Sequence, residues 1–242
     1  MRYTGTAHDI SYDATLSFFE ARGRTATADA PQTATMYQNK ALAEKRDACE
    51  RDTVLPMLAL GGDERVLDIG CGYGRWAEIL VDRVGEYVGV DFSSELLKLA
   101  EARRLPRSRF ERLAAQDVRT GAFANPRFDL FICSGILIYL NDSDVSRLAD
   151  AIAAMAAPGA RVYLREPMAV TGGRLTLDRF PSVDLKTEYS AVYRTPEQCH
   201  ELFGAPLRST GFTCTVEQPL YPLELCNRQE TEQQIQLWNK TV

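Results

Sequence analysis

Between residues 65 and 166 the chain alternates short apolar runs with longer stretches in which apolar residues recur every three or four positions. The runs predict buried strands near 65–69, 87–91, 109–113, 128–133 and 161–166. Helices are expected between them. One begins near Arg75. A second is capped by Ser93, carries Glu95 in its first turn and buries Leu96, Leu97 and Ala100. A third, Ser143 to Ala157, turns Val145, Leu148, Ile152 and Met155 to one face before Pro158-Gly159 stops it. Strand and helix in regular alternation predict a parallel sheet.

Ahead of this core, Ser11 to Arg22 gathers Leu16, Phe18 and Phe19 into a short amphipathic helix. Gly23 to Thr35 is polar and loop-like, and Lys40 to Leu60 predicts a longer helix ended by Gly61-Gly62. Beyond the core, Met168 to Arg194 far exceeds the roughly 2–6 residues usual for a strand-to-helix connection. It is expected as an insertion, with a strand pair over the pocket. A helix over Pro196 to Thr210, a strand at Phe212 to Gln218, a second insertion at Pro219 to Thr231 and a closing strand at Gln233 to Lys240 complete the chain. Its 242 residues suit one domain: a helical cap over 1–62, a core over 63–166, and 167–242 holding the substrate insertion and the end of the sheet.

The chemistry gathers where the first strand breaks into Gly70-Cys71-Gly72-Tyr73-Gly74. Gly70 and Gly72 allow a tight turn and a close approach of bare backbone to a ligand, and Gly74 lets the next helix pack on the strand. Asp68 stands two residues earlier. A carboxylate there would disturb a bound pyrophosphate and favour a ligand with a cationic part. The second strand closes in Asp91, about 20 residues on, the spacing of an acidic grip on ribose hydroxyls.

In order, Asp68-Ile69-Gly70-Cys71-Gly72-Tyr73-Gly74 and Val90-Asp91-Phe92-Ser93 resemble the first two motifs of the class I S-adenosylmethionine-dependent methyltransferases. Gln116-Asp117-Val118, Phe128 to Ser134 and Pro158 to Leu164 follow in the family's order. The resemblance implies a Rossmann-like α/β fold, a seven-stranded, mostly parallel sheet with an antiparallel last strand. It implies S-adenosylmethionine as cofactor and methyl transfer to oxygen or nitrogen of a small-molecule acceptor in a biosynthetic pathway. Asp68, Gly70, Cys71 and Gly72 would then meet the methionine end, Asp91 the ribose, and Phe92, Gln116, Asp117 and Val118 the adenine, with Ser134 closing the fourth strand. Asp117 would accept from the adenine amino group. Tyr37, Arg46 and Arg51 are candidates for the methionine carboxylate, Arg46 preferred because a guanidinium grips a carboxylate bidentately.

Tyr139 and Glu166 are the candidate catalytic residues, placed just past the fourth and fifth strands. The two histidines, His8 and His200, lie outside 134–140, where many relatives carry one. Methyl transfer requires no metal, and the Asn/Asp-Pro-Pro-Tyr motif of exocyclic-amine methylation is absent. The alternatives are a nicotinamide-dependent oxidoreductase, against which Asp68 and Arg75 count, and a non-catalytic S-adenosylmethionine-binding module.

Composition narrows partners further. A net charge of −5 disfavours a nucleic-acid surface, and the cluster Arg103, Arg104, Arg107, Arg109 and Arg112 falls at a helix end where cations complement the dipole. Six cysteines without Cys-x-x-Cys spacing read as reduced thiols, and neither a charged-then-apolar leader nor an 18-residue apolar run is present. The expected setting is cytoplasmic and away from membranes. The sequence leaves the acceptor and the oligomeric state open.

Overall fold

The computed structural model describes residues 1–26, 39–182, 185, 187–226 and 228–241. Strand β1 (Arg2–Thr4) and helices α1 (Tyr12–Thr25) and α2 (Lys40–Leu58) lead into an alternating run: β2 (Arg65–Ile69), α3 (Arg75–Leu80), β3 (Glu86–Asp91), α4 (Ser94–Glu101), β4 (Ser108–Arg112), β5 (Phe128–Ser134), α5 (Asp142–Met155) and β6 (Ala156–Ala169). A hairpin follows, β7 (Leu175–Ser182) and β8 (Thr187–Tyr193), then α6 (Pro196–Cys199), α7 (Ala205–Ser209), β9 (Phe212–Pro219) and β10 (Thr231–Lys240).

Seven strands form one sheet in the order β4-β3-β2-β5-β6-β10-β9, and β10 runs antiparallel to both neighbours. Strand β2 pairs in parallel with β3 on one side and β5 on the other. Strand addition reverses direction there, so the loops leaving β2 and β5 part and open a crevice at their carboxyl ends. Alternation along the strands fills both faces. Leu67, Val88, Phe131 and Trp238 pack toward α5 and the segment 199–207, while Val66, Tyr87, Ile132 and Leu237 pack with residues of α2 and α3.

Several elements depart from the sequence expectation for identifiable reasons. Helix α1 continues through Gly23 to Thr25, because that glycine lies against α4; a Cβ there would come within 2.7 Å of the Glu95 Cβ. The helix expected over Pro196 to Thr210 is interrupted by a π-turn at His200–Gly204. Pro206 has no N–H for the Leu202 carbonyl, and the wider turn absorbs the mismatch. Strand β6 is longer than 161–166 at both ends; its last residues pair with β10 through Thr231↔Ala169, so the insertion starts later.

The expected hairpin over the strand ends is β7 and β8, but it has a third strand. Residues Arg2 to Thr4 pair with Leu177 to Leu175, which brings the start of the chain onto the insertion. A buried charge cluster ties this small sheet to the core. Arg194 donates to the carbonyls of Leu137 (2.7 Å) and Leu140 (2.6 Å) and to Asp142 Oδ1, and Arg174 reaches both oxygens of Asp142 (2.9 and 2.7 Å). Burial opposes ionisation of Asp142, but the two guanidiniums more than offset it and hold its carboxyl below the usual range. Arg174 and Arg194, two cations of the insertion, are therefore structural ties.

Removing one partner of a buried charged cluster strands the rest. Arg194→Ala should therefore lower stability by about 3 kcal/mol in urea unfolding. A loss under about 0.5 kcal/mol, the level of an ordinary surface change, would show that the hairpin is held elsewhere.

Candidate active site

The turn leaving β2 is built on three glycines with positive φ, Gly70 (77°), Gly72 (56°) and Gly74 (78°). The amides of Gly70 and Cys71 both donate to the Val90 carbonyl, at 2.8 and 3.0 Å, which pins the turn to the end of β3. A Cβ on Gly70 would lie 2.7 Å from Ile136 Cδ1, so only glycine lets the segment after β5 close over the turn. Asp91 completes the clamp. Its Oδ2 accepts from the Gly72 amide and its Oδ1 from the Ser93 amide, each at 2.9 Å. Burial pushes this carboxyl up to about 6, against those two hydrogen bonds.

Asp68 is 2% exposed and accepts a hydrogen bond from the Tyr87 hydroxyl. Burial raises it to about 7, although Tyr87 and Arg75 both favour its ionised form. Asp68 and Asp91 face one cavity of about 430 Å³, within the range of small-molecule sites. Gly70, Cys71, Gly72, Phe92, Gln116 and Ser134 also line it.

Two expected members fall away from the cavity. The segment Ala115–Asp117 is a single 3₁₀ turn that presents Ala115 and Gln116 inward, leaves Asp117 exposed, and sends Val118 into the core beside Phe123. The cavity wall on that side is therefore Phe92, Leu113, Ala115 and Gln116. Tyr37 lies outside the described residues. Arg46 lines the cavity but donates through Nε to the Leu225 carbonyl at 2.8 Å and lies 5.2 Å from the Tyr221 ring centroid. Arg51 pairs with Asp47 at 3.0 Å.

Glu166 corrects the expectation most sharply. Side chains alternate along β6, so Arg165 and Pro167 line the cavity and Glu166, 1% exposed, does not. Its Oε1 accepts from the amides of Ile136 and Leu137, both at 2.8 Å, and Oε2 from Ile138 at 3.4 Å. Burial pushes it up to about 7 while those amides pull the other way. Glu166 thus holds the 3₁₀ turn Leu137–Tyr139 and acts through it. Tyr139 is in the wall; its hydroxyl lies 3.1 Å from that of Tyr189, which accepts from Tyr193 at 3.4 Å.

Residues that spacing alone does not single out complete the site. Glu50 of α2 is 2% exposed, lies 2.9 Å from Arg75 Nη2 and 3.5 Å from Arg165 Nε, and accepts from the Tyr163 hydroxyl at 2.7 Å. Burial opposes its ionisation, but Arg75 and Arg165 more than offset that and keep it below the usual carboxylate range. Arg165 also donates to Ser134 Oγ (3.0 Å) and Gln233 Oε1 (2.9 Å). A signal existed in α2: Ala43, Arg46, Glu50, Val54 and Leu58 form its buried stripe, with two charges among the apolar positions.

A family model described as a methyltransferase domain matches residues 66–159, the stretch that carries the glycine turn, Asp91 and the Tyr139 turn. Over that stretch the chain is similar to methyltransferase domains, in line with the class I S-adenosylmethionine-dependent methyltransferase motifs of its sequence. Phosphoethanolamine N-methyltransferase 1 of Triticum aestivum is 27% identical over 126 residues, 51% of this chain and 25% of its own length. The ubiquinone biosynthesis O-methyltransferase of Serratia proteamaculans is 28% identical over 155 residues, 60% of this chain and 63% of its own. Among solved structures, phosphoethanolamine N-methyltransferase 1 of Haemonchus contortus, in complex with phosphoethanolamine and S-adenosylhomocysteine, matches with a TM-score of 0.72 at 16% identity. That match covers 95% of this chain and 48% of the other, and it shows a shared fold. The chain spans about a quarter to a third of the first curated relatives it matches.

Among the described residues no group of three or more His, Cys, Asp or Glu side chains is placed to hold a metal ion, and no helix is long and apolar enough to cross a membrane.

Glu166→Ala should expose the amides of 136–138 to rapid hydrogen exchange and lower stability by about 2 kcal/mol, since hydrogen bonds to a charged group are worth roughly 1.5–3 kcal/mol each and water recovers part of the loss. Unchanged protection at those three amides would mean that the turn does not depend on the carboxylate.

Proposed function

We propose that this chain transfers the methyl group of S-adenosylmethionine to oxygen or nitrogen of a small-molecule acceptor. The carrying observation is the pair of buried carboxylates, Asp68 and Asp91, facing one cavity across a glycine turn. Asp91 uses one lone pair on each oxygen for a backbone amide, which leaves the others to accept from two ribose hydroxyls. Asp68 suits the α-ammonium. Trp76 lines the cavity, and its buried indole N–H has no hydrogen-bond partner among the described residues, so a carboxylate at that end gives it an acceptor. When bound, the cofactor supplies a methyl on a sulfonium, open to in-line displacement.

For that displacement the chain's own work is positional. Tyr139, on the turn that Glu166 holds, orients the acceptor by a hydrogen bond, and Phe19, Tyr189 and Tyr193 exclude water from the same wall. Alignment of this kind supplies several kcal/mol without a metal or an oxyanion hole. The curated relatives act, by their names, on phosphoethanolamine and in ubiquinone biosynthesis, which supports a small acceptor.

S-adenosylhomocysteine at about 100 times its dissociation constant should stabilise the fold by roughly 2.7 kcal/mol, and NAD should not. Asp91→Ala should weaken that binding more than tenfold; affinity within twofold of wild type would place the ribose elsewhere.

Acidity gives a separate check. Burial holds Asp68 and Asp91 partly protonated in the free protein, at about 7 and about 6, whereas an ammonium and ribose hydroxyls favour the ionised forms. Binding therefore releases protons, and affinity should tighten by up to about a hundredfold between about pH 5.5 and 7.5. Calorimetry showing pH-independent affinity, or proton uptake, would contradict the assignment.

A further inference from the structure

The cavity wall carries both signs of charge, Arg46 and Arg75 among them, but only one stretch of the chain supplies carboxylates. Its carboxylates, Glu44, Asp47, Glu50, Asp68, Glu78 and Asp91, all come from the chain up to residue 91. From Phe92 onward the described lining contains Arg103, Arg165 and Arg228 and neither Asp nor Glu. Arg165 sits on β6 beside Ser134 and Gly135, at the carboxyl end of β5 where an acceptor meets the cofactor. Arg228 lies at the exposed rim, close enough to Tyr193 that its charge, with the Tyr189 hydrogen bond, works against the rise that burial imposes on that phenol. Glu50 lies 3.5 Å from Arg165 and is shared with Arg75.

The tyrosines add a donor. Tyr139, Tyr189 and Tyr193 form a chain of three hydroxyls joined by two hydrogen bonds, and Tyr193 donates in one of them. Each phenol has one proton. Three protons and two bonds leave one O–H, on Tyr139 or Tyr189, to donate into the cavity. Guanidiniums on one side and a phenol donor on the other suit an acceptor of hydrogen bonds that carries negative charge.

Resting on the cofactor reading above, we propose that the methyl acceptor carries an oxyanionic group, a carboxylate or a phosphate, seated between Arg165, Arg228 and the Tyr139–Tyr189–Tyr193 hydroxyls. The anion fixes the orientation of the molecule, and the nucleophilic oxygen or nitrogen lies toward Gly70 and Ser134. Asp68 and Asp91, the carboxylates at the glycine turn, repel the anion and keep it out of the cofactor subsite.

The test uses the full chain saturated with S-adenosylhomocysteine, titrated with inorganic phosphate, succinate or choline against chloride at matched ionic strength. Phosphate or succinate should bind saturably, and whichever binds names the oxyanion. Arg228→Gln should weaken that binding at least fivefold and Tyr193→Phe measurably, with S-adenosylhomocysteine affinity within twofold of wild type in both. The proposal is overturned if neither oxyanion binds above chloride, if choline binds in their place, or if both variants bind the oxyanion as wild type does. It is also overturned if Arg228→Gln weakens S-adenosylhomocysteine tenfold, which would assign that guanidinium to the cofactor. Failure of S-adenosylhomocysteine to bind the wild-type chain defeats the cofactor reading, and this one with it; failure of the oxyanions on the loaded protein defeats this one alone.

Discussion

A parallel strand that stops at a crevice leaves backbone amides of the following loop to be satisfied without water, and in this protein buried carboxylates satisfy them. Asp91 takes the amides of Gly72 and Ser93; Glu166 takes those of Ile136, Leu137 and Ile138. Both groups are almost wholly buried, so each amide contact offsets part of a large desolvation cost. The result is a rim whose loops hold their shape before any ligand arrives. Preorganisation of that kind suits the proposed methyl transfer, where alignment is the main thing a protein contributes.

The cap is bound to this rim by charge as much as by apolar contact. Helix α2 inserts Glu50 between Arg75 of the glycine-turn helix and Arg165 of β6, and Tyr163 donates to the same carboxylate. On the far side Asp142 gathers Arg174 and Arg194, which anchors the β1-β7-β8 sheet over the Tyr139 turn. Each cluster joins segments distant in sequence. Such pairs add little net stability over an apolar substitute, yet they specify one arrangement because a misplaced cap would strand a buried charge.

The cavity therefore has two differently made halves. One comes from β2, β3 and α2 and concentrates carboxylates; the other comes from the loops after β5 and β6, the hairpin and the segment before β10, and it carries arginines and tyrosines. At the seam between the halves Gly70 lies against Ile136 and leaves room for nothing larger than hydrogen.

Local pattern alone determined the strands from 65 to 133, the helix starts at Arg75 and Ser93, and the glycine turn with Asp68 and Asp91 beside it. These depend on period and spacing within a few residues, which the chain carries wherever it is read. The inner ends of the site were a different matter. Whether Glu166 or Arg165 faces the crevice depends on which face of β6 is turned inward, and a one-residue shift reverses the answer. Asp117 and Val118 left the cavity wall because a single 3₁₀ turn rotates them off it. Glu50, Arg75 and Arg165 lie far apart in sequence, and Arg2 to Thr4 finds β7 across more than 170 residues. Tertiary structure alone decided these, since the partner that makes burying a charge or pairing a strand edge favourable comes from another part of the chain.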